Sequence, residues 1–512
     1  MKDFAIDALS QLDRSQVEYA DIRVVRRRSE TLRVKNGIVE AWSDEEELGF
    51  GMRVLAAGTW GFAASHDLTR DQARRTASSA LDVALASASV GGPRVRLAPE
   101  SPRVADVVGP MAEDPFAVDT ESKLRLLMEA DEALRSPGVT FALAFLGGLW
   151  EEKVFASTEG SLIRQTRSEA GGGIQAVAVR DGDVQTRSYP SSGSGSWGQG
   201  GFEVIRGLDL VAHGPRLAEE AVRLLDAPFC PRTMTTVILD QDQMALQVHE
   251  SVGHPTELDR ILGSEASYAG TSFLSESDVG RLQYGSEHVT ILADATTPGG
   301  LGTAPYDDEG VPAKRVPLIR RGRLVGLLTS RETAGLLGQE STGAMRASGW
   351  NRIPLIRMTN INLEPGGWAL DDLIADTGDG VLMATNKSWS IDDRRLNFHF
   401  ATEIGWEIKN GRLGRILRGC TYTGSTPSFW RSCDAVCGER DWRLFGVTNC
   451  GKGEPGQSMH VGHGASPARF RNVAVGGGGG RGVSAQAASE TEEEGRQLIA
   501  EAIECSTMTE RW

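Results

Sequence analysis

Residues 249–259 read HESVGHPTELD, and this short run organises the interpretation of the whole chain. Two histidines, His249 and His254, stand on either side of Glu250 within six residues. Two neutral imidazoles and one carboxylate supply two zinc ligands and a general base, the minimum for a hydrolytic zinc site. The run therefore predicts a metal-dependent hydrolase site, placed on a helix inside an otherwise β-rich region.

The five-residue spacing of the two histidines predicts a local distortion of that helix. Residues four apart lie about 40° from eclipsed on an α-helix, whereas residues five apart lie about 140° from eclipsed. The helix therefore either carries an i→i+5 bulge, which is frequent at functional sites, or ends between the histidines. Gly253 permits the distortion, and Pro255 predicts that regular helix stops near His254.

Composition narrows the class of protein. The chain has 512 residues, which predicts about two to four domains. Only 6% aromatic residues together with 61 glycines favour a β-rich, turn-rich protein over a helical bundle. A net charge of −15 argues against a nucleic-acid partner. The sequence contains no uninterrupted apolar run of about 18 residues, so it predicts no membrane-spanning helix. The N-terminus lacks a signal-peptide pattern, so a cytoplasmic location with reduced cysteines is expected.

Two segments precede the motif, and both mix helices with short strands. Residues 1–92 and 116–227 each begin and end with an amphipathic helix and carry a meander of strand-like runs between them. Residues 91–115 are predicted to be a linker, and the Ser/Gly-rich residues 191–201 a mobile loop.

The third segment, residues 231–475, is predicted to be a mainly antiparallel β domain with the motif helix at 241–253. The whole chain is therefore expected to have an α+β fold. The five glycines at 476–480 lack the Lys-Ser/Thr of a phosphate-binding loop, which favours a flexible linker. The rest of the 476–512 extension is acidic and is predicted to be a solvated helix.

A catalytic zinc needs a third protein ligand beside an open position. Cys450 is favoured because it lies in a glycine-rich turn, where Lys452 would stabilise the thiolate. Glu257 and Asp259 are expected to accept hydrogen bonds from the ligand imidazoles. The alternative donors are Cys433 and Cys437, which form a C-x3-C pair, and the loop histidines His460 and His463.

Together with HESVGHPTELD, five further motifs in one order resemble the TldD/PmbA metallopeptidases, specifically the TldD-type catalytic subunit. They are YDDEG at 306–310, STG at 341–343, RMTN at 357–360, RGCT at 418–421, and CGK at 450–452 followed by GQS at 456–458. The likeness extends to about residue 475.

The resemblance implies a two-part N-terminal α/β region and a C-terminal β domain. It implies one Zn2+ ion bound by His249, His254 and Cys450, with Glu250 as the base that takes a proton from the attacking water. The implied reaction is hydrolysis of peptide bonds in unfolded or extended peptides, or maturation of ribosomally made peptides, with the peptide bound as an added β-strand.

Substrate contacts are less specified by the sequence. Tyr306 and His460 are expected near the oxyanion, and the run 357–364, with Arg357 and Asn360, is the expected strand near the peptide.

The resemblance also implies a partner subunit, either a TldE/PmbA-type paralogue in a heterodimer or a second copy in a homodimer. Two other functions stay open. One is a non-catalytic partner subunit, against which the intact His-Glu-His-Cys set argues; the other is a specialised amidase for a small natural-product conjugate. The chain departs from the family pattern after residue 475 and at 429–443, which includes Cys433 and Cys437, so the natural substrate and cleavage position are not predicted.

Overall fold

The computed structural model describes residues 1–13, 15–193 and 195–476. The predicted tail helix and all but the first residue of the glycine run lie outside this described part. The N-terminal and middle segments supply one eight-stranded sheet with its helices, and the C-terminal segment supplies the other sheets. The fold is therefore α+β, as the sequence predicts. Within the described ranges, no helix is long and apolar enough to cross a membrane.

The eight-stranded sheet joins the first two segments. Its strands follow the order β3-β2-β1-β5-β6-β4, with β7 and β8 also paired to β6. Strand β1 pairs antiparallel with β5 from Asp21 opposite Ser157 to Lys35 opposite Leu143. The elements are α1 (Lys2–Ser10), β1 (Tyr19–Lys35), β2 (Ile38–Ala56), β3 (Thr59–Ser65), α2 (Arg70–Val90), β4 (Val104–Val108), α3 (Thr120–Leu134), β5 (Phe141–Ser157), β6 (Leu162–Arg180), β7 (Asp183–Tyr189), β8 (Ser196–Gln199), α4 (Phe202–Gly207) and α5 (Leu210–Leu224).

The strands of this sheet are longer than the sequence predicts. Strand β1 is continuous through the charged residues 26–28 because its backbone pairs with both β2 and β5 along this stretch, and the charged side chains find partners across the sheet. Arg27 donates to Glu151 of β5 at 2.6 Å, and Arg28 donates to Asp44 of β2 at 2.8 Å. Strand β4 lies in the segment predicted as a linker, and β8 lies in the segment predicted as a mobile loop.

The C-terminal segment contains a seven-stranded sheet, a four-stranded sheet and two strand pairs. Its helices are α6 (Gln241–Val248), α7 (Leu258–Ile261), α8 (Arg331–Leu337), α9 (Leu370–Thr377) and α10 (Thr426–Arg431). Its strands are β9 (Thr233–Leu239), β10 (Ile291–Asp294), β11 (Arg315–Arg320), β12 (Arg323–Leu324), β13 (Met345–Arg346), β14 (Leu355–Ile356), β15 (Ile361–Leu363), β16 (Gly380–Ile391), β17 (Asn397–Lys409), β18 (Arg412–Leu417), β19 (Cys420–Ser425), β20 (Cys433–Val436), β21 (Arg443–Lys452), β22 (Gln457–Ala465) and β23 (Ala468–Val475).

The first and last strands of this segment are neighbours in its largest sheet. Strand β23 pairs antiparallel with β9, with Ala468 opposite Leu239 and Val475 opposite Thr233. Helix α6 follows β9 directly, and its residue Val248 is buried in the same hydrophobic core as Phe470 of β23. The motif helix is thereby fixed on a sheet that the end of the described chain completes.

Candidate metal centre

The helix that carries the motif widens at the first histidine. Helix α6 ends at Val248 and continues into a π-helical turn over His249–Gly253 and a 3-10 turn over His254–Thr256. The wider turn places the two imidazole rings side by side, with centroids 4.8 Å apart and planes at 82°. The i→i+5 distortion predicted from the histidine spacing is therefore confirmed.

The glycine of the motif has a different role from the one expected. Gly253 has φ −57° and ψ −66°, an ordinary helical conformation that any residue adopts. A Cβ at this position would lie 2.1 Å from the Sδ atom of Met358. Gly253 therefore allows close packing of the π-helical turn against Met358, and backbone freedom is not the reason for a glycine here.

Three buried donor groups meet at this turn. One donor atom each from His249, His254 and Cys450 lies within 4.8 Å of the other two. Cys450 is in β21, and its Sγ atom is 3.6 Å from Nε2 of His254 across a sequence separation of 196 residues. The rival cysteines Cys433 and Cys437 are also buried, but among the described residues neither belongs to this group of donors.

Hydrogen bonds to the second nitrogen of each histidine orient the two rings. Nδ1 of His254 lies 3.0 Å from Oε2 of Glu257, and Nδ1 of His249 lies 2.7 Å from Nε2 of His463. Nδ1 of His463 lies 3.4 Å from the carbonyl oxygen of Ile361. When each Nδ1–H donates along these contacts, the Nε2 lone pairs of His249 and His254 stay free for a metal.

The charges of the cluster favour a thiolate. Burial raises the pKa of Cys450, but His249, His254 and Arg357 outweigh burial and bring that pKa well below its usual value. Burial lowers the pKa of His249, and the adjacent Cys450 thiolate outweighs it and raises that pKa. Burial, followed by the charge of His249, brings the pKa of His463 well below its usual value, which keeps His463 a neutral acceptor.

A buried lysine supports the carboxylate that orients His254. Nζ of Lys452, which is fully buried, donates to Asp259 at 2.7 and 2.9 Å and to the Ile356 carbonyl at 2.7 Å. The same Nζ lies 3.4 Å from Glu257. Burial raises the pKa of Glu257, but Lys452 and His254 outweigh burial and bring it well below its usual value. Glu257 is thus an acceptor for the His254 imidazole, as expected, whereas Asp259 binds Lys452 instead.

Glu250 points into the same cavity as the three donors. Its Oε2 atom accepts a hydrogen bond of 2.7 Å from Nη1 of Arg395, a residue between β16 and β17. Burial raises the pKa of Glu250, but His249, His254 and Arg395 outweigh burial and lower it. The carboxylate is therefore ionised, as a proton acceptor must be.

The cavity has a volume of about 420 Å3. The π-helical turn forms one wall, residues 445–447 and 449–451 of β21 form another, and loop residues 191–193 and 195 contribute to the lining. Among the described strands β21 pairs only with β22, and its Gly446 amide donates to Ser196 Oγ of β8 at 3.4 Å.

Two of the four predicted substrate contacts have structural partners instead. The guanidinium of Arg357 donates to the Cys450 carbonyl and, at 3.1 Å, to the Gln457 carbonyl. It therefore fixes the backbone of the strand that carries the third donor. Asn360 accepts from the Gly302 amide at 2.9 Å and donates to the Asp294 carbonyl at 2.7 Å. Both side chains are fully buried, and neither lines the cavity.

The other two predicted contacts also lie elsewhere. Tyr306 lines a separate cavity with Asp307 and Arg346. Nδ1 of His460 lies 2.5 Å from the buried carboxylate of Glu169 in β6. The structure thus brings together the four central residues of the motif and loop but places Tyr306, Arg357, Asn360 and His460 outside their cavity.

Sequence reasoning missed two residues that contact the site. His463 was considered only as an alternative ligand or a loop residue, and it is the partner of His249. Arg395 carries no local signal, since its partner Glu250 is 145 residues away. Both arrive through strand pairing between distant parts of the chain.

Comparisons with known proteins cover nearly all of the described chain. Family profiles for PmbA/TldA metallopeptidases match as domain 1 over residues 20–84, the central domain over 113–227 and the C-terminal domain over 231–477. A metalloprotease of Methanothermobacter thermautotrophicus is 32% identical over 462 residues, covering 90% of this chain and 96% of that protein. A metalloprotease TldD homolog of Haemophilus influenzae is 27% identical over 473 residues, covering 90% and 93% respectively. The crystal structure of TldE from Thermococcus kodakarensis is similar with a TM-score of 0.68 at 17% identity, covering 93% of this chain and 100% of that one.

Proposed function

This chain belongs to the PmbA/TldD family of metallopeptidases, and from that premise we propose that it hydrolyses peptide bonds in extended peptides with one Zn2+ ion. The ion would be bound by His249, His254 and Cys450. The observation that carries the proposal is the meeting of these three donors, within 4.8 Å of one another, in a cavity that Glu250 also lines.

The donor set fits zinc. Two imidazoles and one thiolate are borderline and soft ligands of the kind that Zn2+ binds in catalytic sites with an open fourth position. Both Nδ1 atoms are already engaged, by Glu257 and His463, so the free Nε2 atoms are the natural ligands. A bound Zn2+ supplies polarisation of a substrate carbonyl and a more acidic water.

Glu250 is the residue that would move protons. Its carboxylate is ionised and lies beside both histidines in the cavity wall. In the proposed reaction it accepts a proton from the attacking water and delivers that proton to the leaving amine. No second acid is needed, because one carboxylate can perform both transfers in sequence.

The part of β21 beyond Gly446 is the proposed place for the peptide, since Gly446 itself contacts Ser196 of β8. Cavity-lining residues 447 and 449–451 include Cys450, so a strand added along this stretch would pass the three donors. Main-chain hydrogen bonds would then supply affinity with little demand on side chains. Residues 357–364, the strand expected from the sequence, lie behind β22, where Asn360 pairs with Gly462.

A partner subunit is part of the proposal. The fold is similar to a structure named TldE, and we infer that a TldE-type paralogue, or a second copy of this chain, assembles with it. The intact donor set argues against a purely non-catalytic role for this chain itself.

The test is Glu250→Gln in zinc-loaded protein. We expect bound zinc to stay at one ion per chain while cleavage of fluorescently labelled casein, an unfolded protein, falls by about 100-fold or more. Glu287→Gln, at an exposed site paired with Arg321, is the matched control and should cleave casein normally.

Full activity of Glu250→Gln would overturn the mechanism. A wild-type protein without stoichiometric metal would favour the non-catalytic role. Cleavage of small amide conjugates but not casein would favour the amidase.

A further inference from the structure

Arg395 occupies an unusual backbone position. Its φ of +60° is in the left-handed region, which favours glycine and which a long side chain seldom adopts. The tip between β16 and β17 fixes this conformation: the Arg395 amide donates to the Asp392 carbonyl at 2.8 Å, and Thr426 Oγ1 donates to the Arg395 carbonyl at 2.9 Å. A sparsely populated conformation that the surroundings enforce is a reason to ask what the side chain does.

The guanidinium of Arg395 reaches the proposed base. Nη1 donates to Oε2 of Glu250 at 2.7 Å, and Nη2 donates to the Ala269 carbonyl at 3.3 Å. Among the residues that the structure describes, this is the only hydrogen bond made by the Glu250 carboxylate. Of the described residues that line the cavity, Arg395 is also the only lysine or arginine.

The carbonyl of Ala269 connects this contact to the histidine side of the site. It accepts a second hydrogen bond, from Nη1 of Arg260. Nε of Arg260 lies 3.5 Å from Oε2 of Glu257, the carboxylate that orients His254. The Ala269 carbonyl therefore positions both guanidiniums. The guanidinium of Arg395 lies beside Glu250, and that of Arg260 lies beside Glu257.

The loop that supplies this carbonyl is itself attached to the tip. The Thr271 amide donates to the Asp393 carbonyl at 2.7 Å. A Cβ at Gly270 would lie 2.4 Å from that same Asp393 oxygen, so the two backbones are in close contact. The position of Arg395 is thus set from both sides, by its own strand connection and by the loop at residues 269–271.

We propose that Arg395 is a positioning residue for Glu250 in this enzyme's reaction. It binds Oε2 and thereby fixes the rotation of the carboxylate, which leaves Oε1 available for the proton of the attacking water. The inference rests on the proposed function, because it assigns a role relative to Glu250 as the base. A glutamate has three rotatable side-chain bonds, and a misplacement of about 1 Å in a catalytic group can reduce the rate by about 100-fold.

The first test compares Arg395→Gly with Arg321→Gly. Both arginines have positive φ, +60° and +47°, so glycine relaxes the backbone at both positions, but Arg321 lies in the exposed β11–β12 turn. We expect Arg395→Gly to lower kcat on labelled casein by about 10- to 100-fold with KM within about twofold. Arg395→Lys, which retains a charge and a donor, should recover part of kcat, and Arg321→Gly should match the wild type.

The second test needs no activity and uses metal-free protein. If Arg395 and Glu250 interact, Arg395→Gly lowers Tm more in the wild-type background than in the Glu250→Gln background, where only the hydrogen bond to the Ala269 carbonyl is left to lose. Equal Tm shifts in the two backgrounds would overturn the inference, since the pair would then not be coupled.

The failures of the two proposals are distinguishable. Wild-type kcat in Arg395→Gly, with Glu250→Gln inactive, would overturn the positioning role and leave the proposed function standing. A tenfold rise in KM with unchanged kcat would show that Arg395 binds substrate instead, and loss of bound zinc would show a structural role; both overturn the inference. Full activity of Glu250→Gln would remove the proposed function and the inference with it.

Discussion

The Nδ1 atom of His249 lies 2.7 Å from the Nε2 atom of His463, which is 214 residues later in the chain. His463 is fully buried, and its Nδ1 faces the Ile361 carbonyl. The backbone of β15 thus sets the tautomer of His463, and His463 in turn sets the tautomer of His249. A single carbonyl oxygen is thereby connected to Nε2 of His249, the nitrogen proposed to bind the metal.

Substitution of His463 should weaken metal binding without removing a ligand. We expect His463→Leu to lower zinc affinity by about 10- to 100-fold, because His249 loses the acceptor that orients its ring. His463→Gln should lose less, since its amide oxygen can accept from His249. Competition with a chromophoric chelator measures both affinities. His213→Gln, at a histidine stacked on Tyr189, is the control; equal affinities in all three variants would contradict the role of His463.

Cysteine variants separate the proposed third ligand from its rivals. Cys450→Ser should reduce zinc from about one ion per chain to near zero, because a hydroxyl does not replace a thiolate ligand. Cys433→Ser and Cys437→Ser should retain the ion, as neither thiol belongs to the described donor group of His249, His254 and Cys450. Plasma mass spectrometry after desalting gives the ratio. Retention by Cys450→Ser alongside loss by Cys433→Ser would reassign the ligand.

The buried lysine beside the site should contribute strongly to stability. Lys452→Met leaves Asp259 without its cation and Glu257 with Arg260 alone, and breaking a buried pair from one side typically lowers the free energy of unfolding by about 3–5 kcal/mol. Lys409→Met removes an exposed pair with Asp379 and should leave the urea midpoint nearly unchanged. The two urea midpoints, measured on metal-free protein, provide the comparison. Similar midpoints for both variants would contradict a buried charge network.

Stability at low pH should depend on Glu169. Burial raises its pKa, but Arg167 and His460 outweigh burial and bring it to about 2, below the usual 4.5. A lowered pKa means that the contribution is present above pH 4.5 and is lost as the pH falls towards 2. The shift corresponds to roughly 3 kcal/mol. The difference in unfolding free energy between the wild type and Glu169→Gln, taken from urea unfolding of metal-free protein, should therefore shrink from pH 6 to pH 2.5. A constant difference would contradict the ion pair.

Asn360 should affect stability and not substrate binding. Asn360→Asp keeps an acceptor for the Gly302 amide but removes the donors to the Asp294 carbonyl and to Thr303 Oγ1, and it places a carboxylate in a buried site. We expect a loss of about 1–3 kcal/mol or more in unfolding free energy, with KM unchanged. The exposed Asn351→Asp is the control for charge. A raised KM with unchanged stability would restore the sequence-based expectation of a substrate contact.

The local chemistry of the motif was predictable because it depends on neighbours in sequence. The spacing of His249 and His254 is incompatible with a regular helix, so it required either the π-helical turn that is observed or a helix end. The α+β class followed in the same way from the alternation of periodic segments. These inferences use only residues within a few positions of each other.

The contacts that complete the site depend on strand order and were not predictable. His463 and Arg395 reach the motif from β22 and from the β16–β17 tip, and neither position carries a pattern that points to Glu250 or His249. Strand β4 was missed for a different reason: its sequence VADVV has no regular alternation of apolar and polar residues, and Pro102 and Pro110 flank it. It is a strand because β6 supplies its hydrogen bonds.

The order of synthesis follows from the 196 residues that separate Cys450 from His254. At about 5–20 residues per second, a ribosome needs roughly 10–40 s to proceed from the histidine pair to the cysteine. Strand β23, which completes the sheet under α6, emerges later still. A nascent or truncated chain therefore carries the base and two of the three donors without the thiolate. The proposed hydrolase would therefore acquire its complete donor set, and with it the ability to cleave peptides, only after residue 450 has been translated.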